Sequence, residues 1–207
     1  MELFFYLKMV QFSLGGIVFG KAPNHWWDYL TAFDDFVGNN GDPVDSGKWD
    51  TTVTENGTVS IQSNDCRIYA QATDAVATAQ LTLKTALTSG KIIAIITSLG
   101  LSQDDAESVY YKYYVGNATQ GFTEVATGNL VDTGDGKNTS IQPSSSLEAI
   151  YIGANKWNIF IGGTPYASNP VTLANGLKIR FYAYDAGTNT GQTTYSRVII
   201  KEVYKTS

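Results

Sequence analysis

Residues 108–115 read SVYYKYYV. Val109, Tyr111, Tyr113 and Val115 fall on one face of an extended chain, and Tyr110, Lys112 and Tyr114 on the other. That period of two belongs to a β-strand and not to a helix. Just upstream, residues 91–99 (KIIAIITSL) are nearly continuous apolar, as in a central strand covered on both faces, with Ile92, Ile93, Ile95 and Ile96 at its heart. Downstream, 147–152 and 156–161 flank Gly153-Ala154-Asn155 and read as a hairpin. Residues 177–185 set Leu177, Ile179, Phe181 and Ala183 against Lys178, Arg180, Tyr182 and Tyr184, and 195–205 alternate again. Towards the N-terminus, strands are expected over 49–54, 58–63, 67–72 and 76–83, with Asn56-Gly57 as a hairpin signal between the first two. A short strand is expected over 122–126, and 128–146 reads as loop. No segment of useful length has a helical period, so the chain is all-β and of a sandwich or barrel type.

Residues 33–50, FDDFVGNNGDPVDSGKWD, open this array. Phe33 and Phe36 are expected in the core, and the carboxylates of Asp34 and Asp35 at the rim of a sheet. The order DDF, a Gly/Asp-rich loop, KW and then GTVSI resembles the entry to concanavalin A-like (laminin-G-like) jelly-roll domains. The closing stretches KW…GGTPY, LKIRFYAYD and YSRVIIKEV resemble the last strands of the same family. The resemblance covers residues 33–203 and implies an antiparallel two-sheet jelly-roll sandwich with 33–50 as first strand and edge. It also implies glycan cleavage as the activity most associated with the fold, carried by acids at alternating positions, E-x-D-x-E, on an inner strand. No such run is present. The family's structural calcium near the terminal strands would fall near Asp34 or Asp35. Asp42 and Asp45, with Asn40, supply further oxygens in the adjoining loop, and Asp132, Asp135 and Asn138 form a second set. Against a calcium stands the plainer reading of Asx turns, and no cofactor is required.

The 207 residues suit one large sandwich. A net charge of −5 offers no basic field for a phosphate backbone, so nucleic acid is not an expected partner. Cys66 is the only cysteine and His25 the only histidine, which excludes an internal disulfide, a cysteine zinc cluster and any two-histidine site. Cys66 is expected as a small buried apolar group. There is no Gly-x-Ser-x-Gly elbow.

Residues 1–32 are read as an extended N-terminal arm and linker, and 33–207 as the sandwich domain. Leu3, Phe5, Leu7 and Met9 fall on one face of the arm, and Phe4, Tyr6, Val10 and Phe12 fall with Lys8 on the other. Glu2 and the Gly15-Gly16 break argue against a cleaved signal peptide, and the run is too short for a membrane span. A strand apolar on both sides is expected to insert at a neighbour's sheet edge. The leading expectation is therefore a non-enzymatic structural protein of a large assembly, a capsid- or tail-associated component of a virus or phage particle. It would self-associate through its arm and reside in the virion or another extracellular assembly. The alternative is a lectin-like glycan-binding surface module using Trp26, Trp27, Tyr110 and Tyr114. A glycan-cleaving hydrolase or lyase of the same fold is the third reading.

Overall fold

The computed structural model describes residues 25–54, 56–72, 75–102, 109–131, 138–140, 146–187 and 194–206. The assembly arm, residues 3–12, lies outside the described residues, as do Asp132 and Asp135. Among the described residues there are fourteen strands and one 3-10 turn. In chain order the first seven are β1 (Trp49–Val53), β2 (Gly57–Gln62), β3 (Asp65–Ala72), β4 (Ala77–Leu83), β5 (Lys91–Ser102), β6 (Val109–Asn117) and β7 (Gly121–Val131). The rest are β8 (Asn138–Ser140), β9 (Ser146–Gly153), β10 (Lys156–Ile161), β11 (Thr164–Pro165), β12 (Val171–Thr172), β13 (Lys178–Asp185) and β14 (Thr194–Lys205). Six strands form one sheet in the order β1-β4-β13-β6-β7-β8. The other eight form a second sheet, β11-β10-β9-β5-β14-β3-β2, with β12 alongside β10. Every pairing is antiparallel, the architecture of a jelly-roll sandwich.

The period-two pattern sets the packing. Val109, Tyr111, Tyr113 and Val115 of β6 and Ile179, Phe181 and Ala183 of β13 are fully buried. All of these but Val109 join Ile68 and Ala70 of β3, Ile92 and Ala94 of β5, and Val198 and Ile200 of β14 in a single core. Each large apolar side chain buried there contributes ~1.5–3 kcal/mol. Ile93, on the other face of β5, is buried too, as the continuous apolar run predicts. Cys66 is completely buried in the core, and burial pushes its thiol pKa well above the ordinary range.

Three expectations change. Asn56-Gly57 is not a hairpin turn: β1 pairs with β4 and β2 with β3, in different sheets. Gly57 is the point where the chain leaves one sheet for the other, and a Cβ there would lie 1.8 Å from the carbonyl oxygen of Thr78. The residue is glycine because two backbones touch, not because a tight turn needs it. Next, of the 33–50 segment only Trp49 and Asp50 belong to a strand, the edge strand β1, and Asp34 is not at a rim. Asp34 is buried, forming one isolated bridge to Val203 of β14. Its carboxylate accepts hydrogen bonds from Trp49 Nε1 at 2.7 Å and from the Phe36 amide at 3.1 Å, with Lys48 Nζ 3.6 Å away. A buried carboxylate persists when it is paired and hydrogen-bonded in this way. Finally, the region expected as loop from 128 onward contains the end of β7 and the short β8.

Candidate functional site on the six-stranded sheet

The outward residues of β6 and β13 come together because the two strands are neighbours in register. Tyr110 lies opposite Tyr184, Lys112 opposite Tyr182, and Tyr114 opposite Arg180. Tyr110 and Tyr184 stack at 4.5 Å between ring centroids and 11° between planes, and Tyr182 lies 6.2 Å from Tyr110. The Lys112 ammonium sits 4.7 Å above the Tyr110 ring, and the Arg180 guanidinium 3.5 Å above Phe122. Arg180 Nε also donates to Thr82 Oγ1 at 3.2 Å. The result is a half-buried floor of flat rings edged by cations.

A β-bulge adds the acid. Pairing between β6 and β7 shifts between Tyr113 and Tyr114, so that Glu124 stands opposite Tyr114 while Ala126 stands opposite Tyr113. The extra residue, Val125, is buried, and Glu124 is left on the outer face. Its carboxylate meets Lys112 Nζ at 2.8 Å. That hydrogen bond is the leading reason the Lys112 pKa is raised. Burial raises the phenols of Tyr110 and Tyr114 and pushes Tyr182 up to about 12, so all three stay protonated donors near neutral pH.

A second carboxylate, Asp50, shares the face. Asp50, Thr82, Arg180, Tyr114 and Glu124 form one row across β1, β4, β13, β6 and β7. Four strand spacings separate its ends, roughly 19 Å at ~4.8 Å each. Paired carboxyl groups of glycosidases stand about 5–10 Å apart. Asp50 and Glu124 are therefore not such a pair. Asp185, also on β13, points inward: it is fully buried and bonded to Thr194 Oγ1 and to the Ala72 and Gly187 amides. Its role is to hold strand ends together.

Of the four aromatics expected to bind glycan, Tyr110 and Tyr114 lie in this cluster. Trp26 and Trp27 do not. They occupy a 3-10 turn, Trp26–Tyr29, against the eight-stranded sheet, where Trp26 Nε1 donates to Glu148 of β9 and Lys91 of β5 sits over its ring. Trp27 stacks on His25 at 4.2 Å. Glu124, Arg180, Tyr182 and Tyr184 escaped the sequence reading as site residues. Alternation alone places the last three outward, but not beside β6.

The residues considered for calcium do not fit a common ion as placed. Asp34 is engaged by Trp49, Asp42 by the Asn39 amide and Asp45 by the Gly47 amide, while Asp35 is exposed. Lys48 lies between Asp34 and Asp45, at 3.6 and 3.8 Å. Among the described residues no three acidic, histidine or cysteine side chains converge.

No family model matches the chain, and no curated protein sequence matches it. Solved structures do. LamAcat from Zobellia galactanivorans is 14% identical, with a TM-score of 0.53 over 88% of this chain and 100% of its own. A β-1,3-glucanase from Mycobacterium marinum is 12% identical, with a TM-score of 0.52 over 86% and 100%. A glycoside hydrolase family protein from Mycobacterium thermorestibile is 11% identical, with a TM-score of 0.54 over 84% and 98%. At these identities the similarity establishes the fold alone, a two-sheet antiparallel jelly-roll sandwich. It also overturns the leading functional expectation. Glucanases and glycoside hydrolases share this architecture over nearly their whole length, so the reading as a non-enzymatic structural protein of a virion is withdrawn. The physical reason for the error lies in its starting point, an apolar arm outside the described residues, whereas the sandwich itself displays an aromatic, charged face. Among the described residues, no helix is long and apolar enough to cross a membrane.

Proposed function

We propose that the protein binds and cleaves a polysaccharide of the β-glucan class on the outer face of the six-stranded sheet. The observation that carries this is the row of Arg180, Tyr114 and Glu124 beside the stacked Tyr110 and Tyr184. Flat phenol rings take the C–H faces of sugar rings, and their hydroxyls, with Arg180 and Lys112, bond the sugar oxygens. A solved relative in fold, LamA from Z. galactanivorans, was crystallised with laminaritriose and laminaritetraose, which supports the choice of glycan. In the cleavage step Glu124 accepts a proton from water as the water oxygen bonds to the anomeric carbon. The glycosidic C–O bond breaks, and the Tyr114 phenol, kept protonated by burial, gives its proton to the leaving oxygen. Solvent then returns the proton from Glu124 to Tyr114.

Incubation with laminarin and mixed-linkage β-glucan should release reducing ends. Glu124→Gln should lower release by ~10²–10⁴-fold while retention on a laminarin affinity gel changes little. Binding without release from the unmodified protein would sink the cleavage step, and absence of both would sink the glycan reading.

A further inference from the structure

The opposite face of the molecule carries a second cluster of rings and cations, built differently. On the outer side of the eight-stranded sheet, β3 presents Arg67 and Tyr69, and its neighbour β14 presents Tyr195 and Arg197. Arg197 lies directly opposite Tyr69. The Arg67 guanidinium stacks 3.9 Å above the Tyr69 ring, Tyr69 and Tyr195 are 5.8 Å apart, and Arg197 lies 5.9 Å from Tyr195. On the edge strand β2, Thr58 and Ser60 stand opposite Tyr69 and Arg67, adding hydroxyls to the same surface.

Two observations point to an occupant. First, the Nε atoms of both arginines are out of solvent and have no hydrogen-bond partner among the described residues. Buried donors are normally satisfied, so a pair of unsatisfied ones on one patch asks for an acceptor. Second, neither arginine takes part in an ion pair among the described residues. Among the described residues Arg67 is hydrogen-bonded to Tyr69, and Arg197 donates from Nη2 to Ser98 Oγ at 3.4 Å. Asp65, the nearest acid along β3, accepts from Thr97 Oγ1 at 3.5 Å. Two cationic forks beside two flat rings, neither paired with a carboxylate among the described residues, present the bidentate donors that a carboxylate or sulfate accepts and the apolar plates that a sugar ring covers.

We propose that this face is a second saccharide-binding site, for an anionic sugar unit whose carboxylate or sulfate is held by Arg67 and Arg197 while its ring packs on Tyr69 and Tyr195. It is separate from the face of Glu124 and stands or falls independently of cleavage there. The chain as a whole is acidic, at −5, so a polyanion has no general attraction to it and retention requires a local site.

The test uses the full chain on affinity gels containing polygalacturonate, dextran sulfate or laminarin, at low and at about physiological salt. Retention is expected on at least one of the two acidic polymers, weakening as salt rises. Which polymer retains the protein tells carboxylate from sulfate. Arg67→Gln with Arg197→Gln should weaken that retention at least about fivefold and leave laminarin retention and reducing-end release unchanged. Should the Gln pair melt early, Arg67→Lys with Arg197→Lys keeps the charge and removes the fork, and an intermediate loss is expected. No retention on either acidic polymer, retention indifferent to both double variants, or retention abolished equally by Arg180→Gln on the other face would each overturn the proposal.

Discussion

The two outer faces of the sandwich use the same residue types to different ends. On the six-stranded sheet the cations are occupied: Lys112 is paired with Glu124 and Arg180 is bonded to Thr82. There Tyr110 stacks on Tyr184 across β6 and β13, and Tyr182 on Tyr184 along β13. On the eight-stranded sheet the arginines lie over tyrosines and, among the described residues, form no ion pair. The difference comes from one carboxylate. Where a bulge delivers Glu124, a carboxylate pairs with Lys112; on the other face neither Arg67 nor Arg197 is in an ion pair among the described residues. Tyrosine and arginine content therefore says little about which ligand a face takes. In the two proposed sites it is the placement of a counter-charge that differs.

The sharpest way to break the comparison is at the point where the chain crosses between the sheets. Gly57→Ala would push a methyl group into the Thr78 carbonyl, at 1.8 Å before relaxation. Both backbones would have to part, at a cost of ~3 kcal/mol or more. Thermal melts should show that loss, with glucan and polyanion retention falling together. A variant melting within about 2 °C of the parent, well under the shift such a loss gives, would mean that Gly57 does not hold the sheets together. A smaller effect separates the faces. Tyr184→Ala removes the stacking partner of Tyr110 and should weaken laminarin retention about fivefold, the equivalent of ~1 kcal/mol of ring stacking. Polyanion retention should not change, and a parallel loss of both would show that the faces are not independent.

The mildest effect concerns alkaline pH. Burial pushes Tyr111 and Tyr182 up to about 12, whereas unfolded tyrosines ionise near about 10. Between those values the unfolded chain has released protons that the native chain still holds, so stability falls as pH rises through that window and is unaffected by these groups below it. Melting temperatures at about pH 8 and about pH 11 should differ accordingly. Tyr182→Phe should flatten the slope; an unchanged slope would mean that this ring titrates alike in both states.

Much of the fold was legible because side-chain alternation needs no knowledge of partners. The inward set Tyr111, Tyr113, Ile179 and Phe181 could be read directly and is buried as read. What could not be read depends on which strands become neighbours. Asn56-Gly57 has the chemistry of a hairpin turn, and the same residues serve a crossing between sheets. Asp34 looks like a surface acid until Trp49 is brought over it by the turn at Asp45, whose carbonyl accepts the Trp49 amide at 2.9 Å. Glu124 is one residue out of phase with the strand it joins, and only the bulge opposite Tyr113 and Tyr114 turns it outward. Tyr110 and Tyr114 were identified from their own strand. Arg180, Tyr182 and Tyr184 required knowing that a strand nearly seventy residues later lies alongside.

Cys66 has a consequence outside carbohydrate chemistry. The only thiol in the chain is completely enclosed by the core and held in its unreactive protonated form. An alkylating reagent can reach it only when the β2–β3 end of the eight-stranded sheet lifts from the core, because β3 stands next to the edge strand β2 and Cys66 follows closely on the Ser63-Asn64 turn. The rate of labelling at this one position thus counts how often that edge of the native protein parts from the core, without denaturant and without any engineered probe.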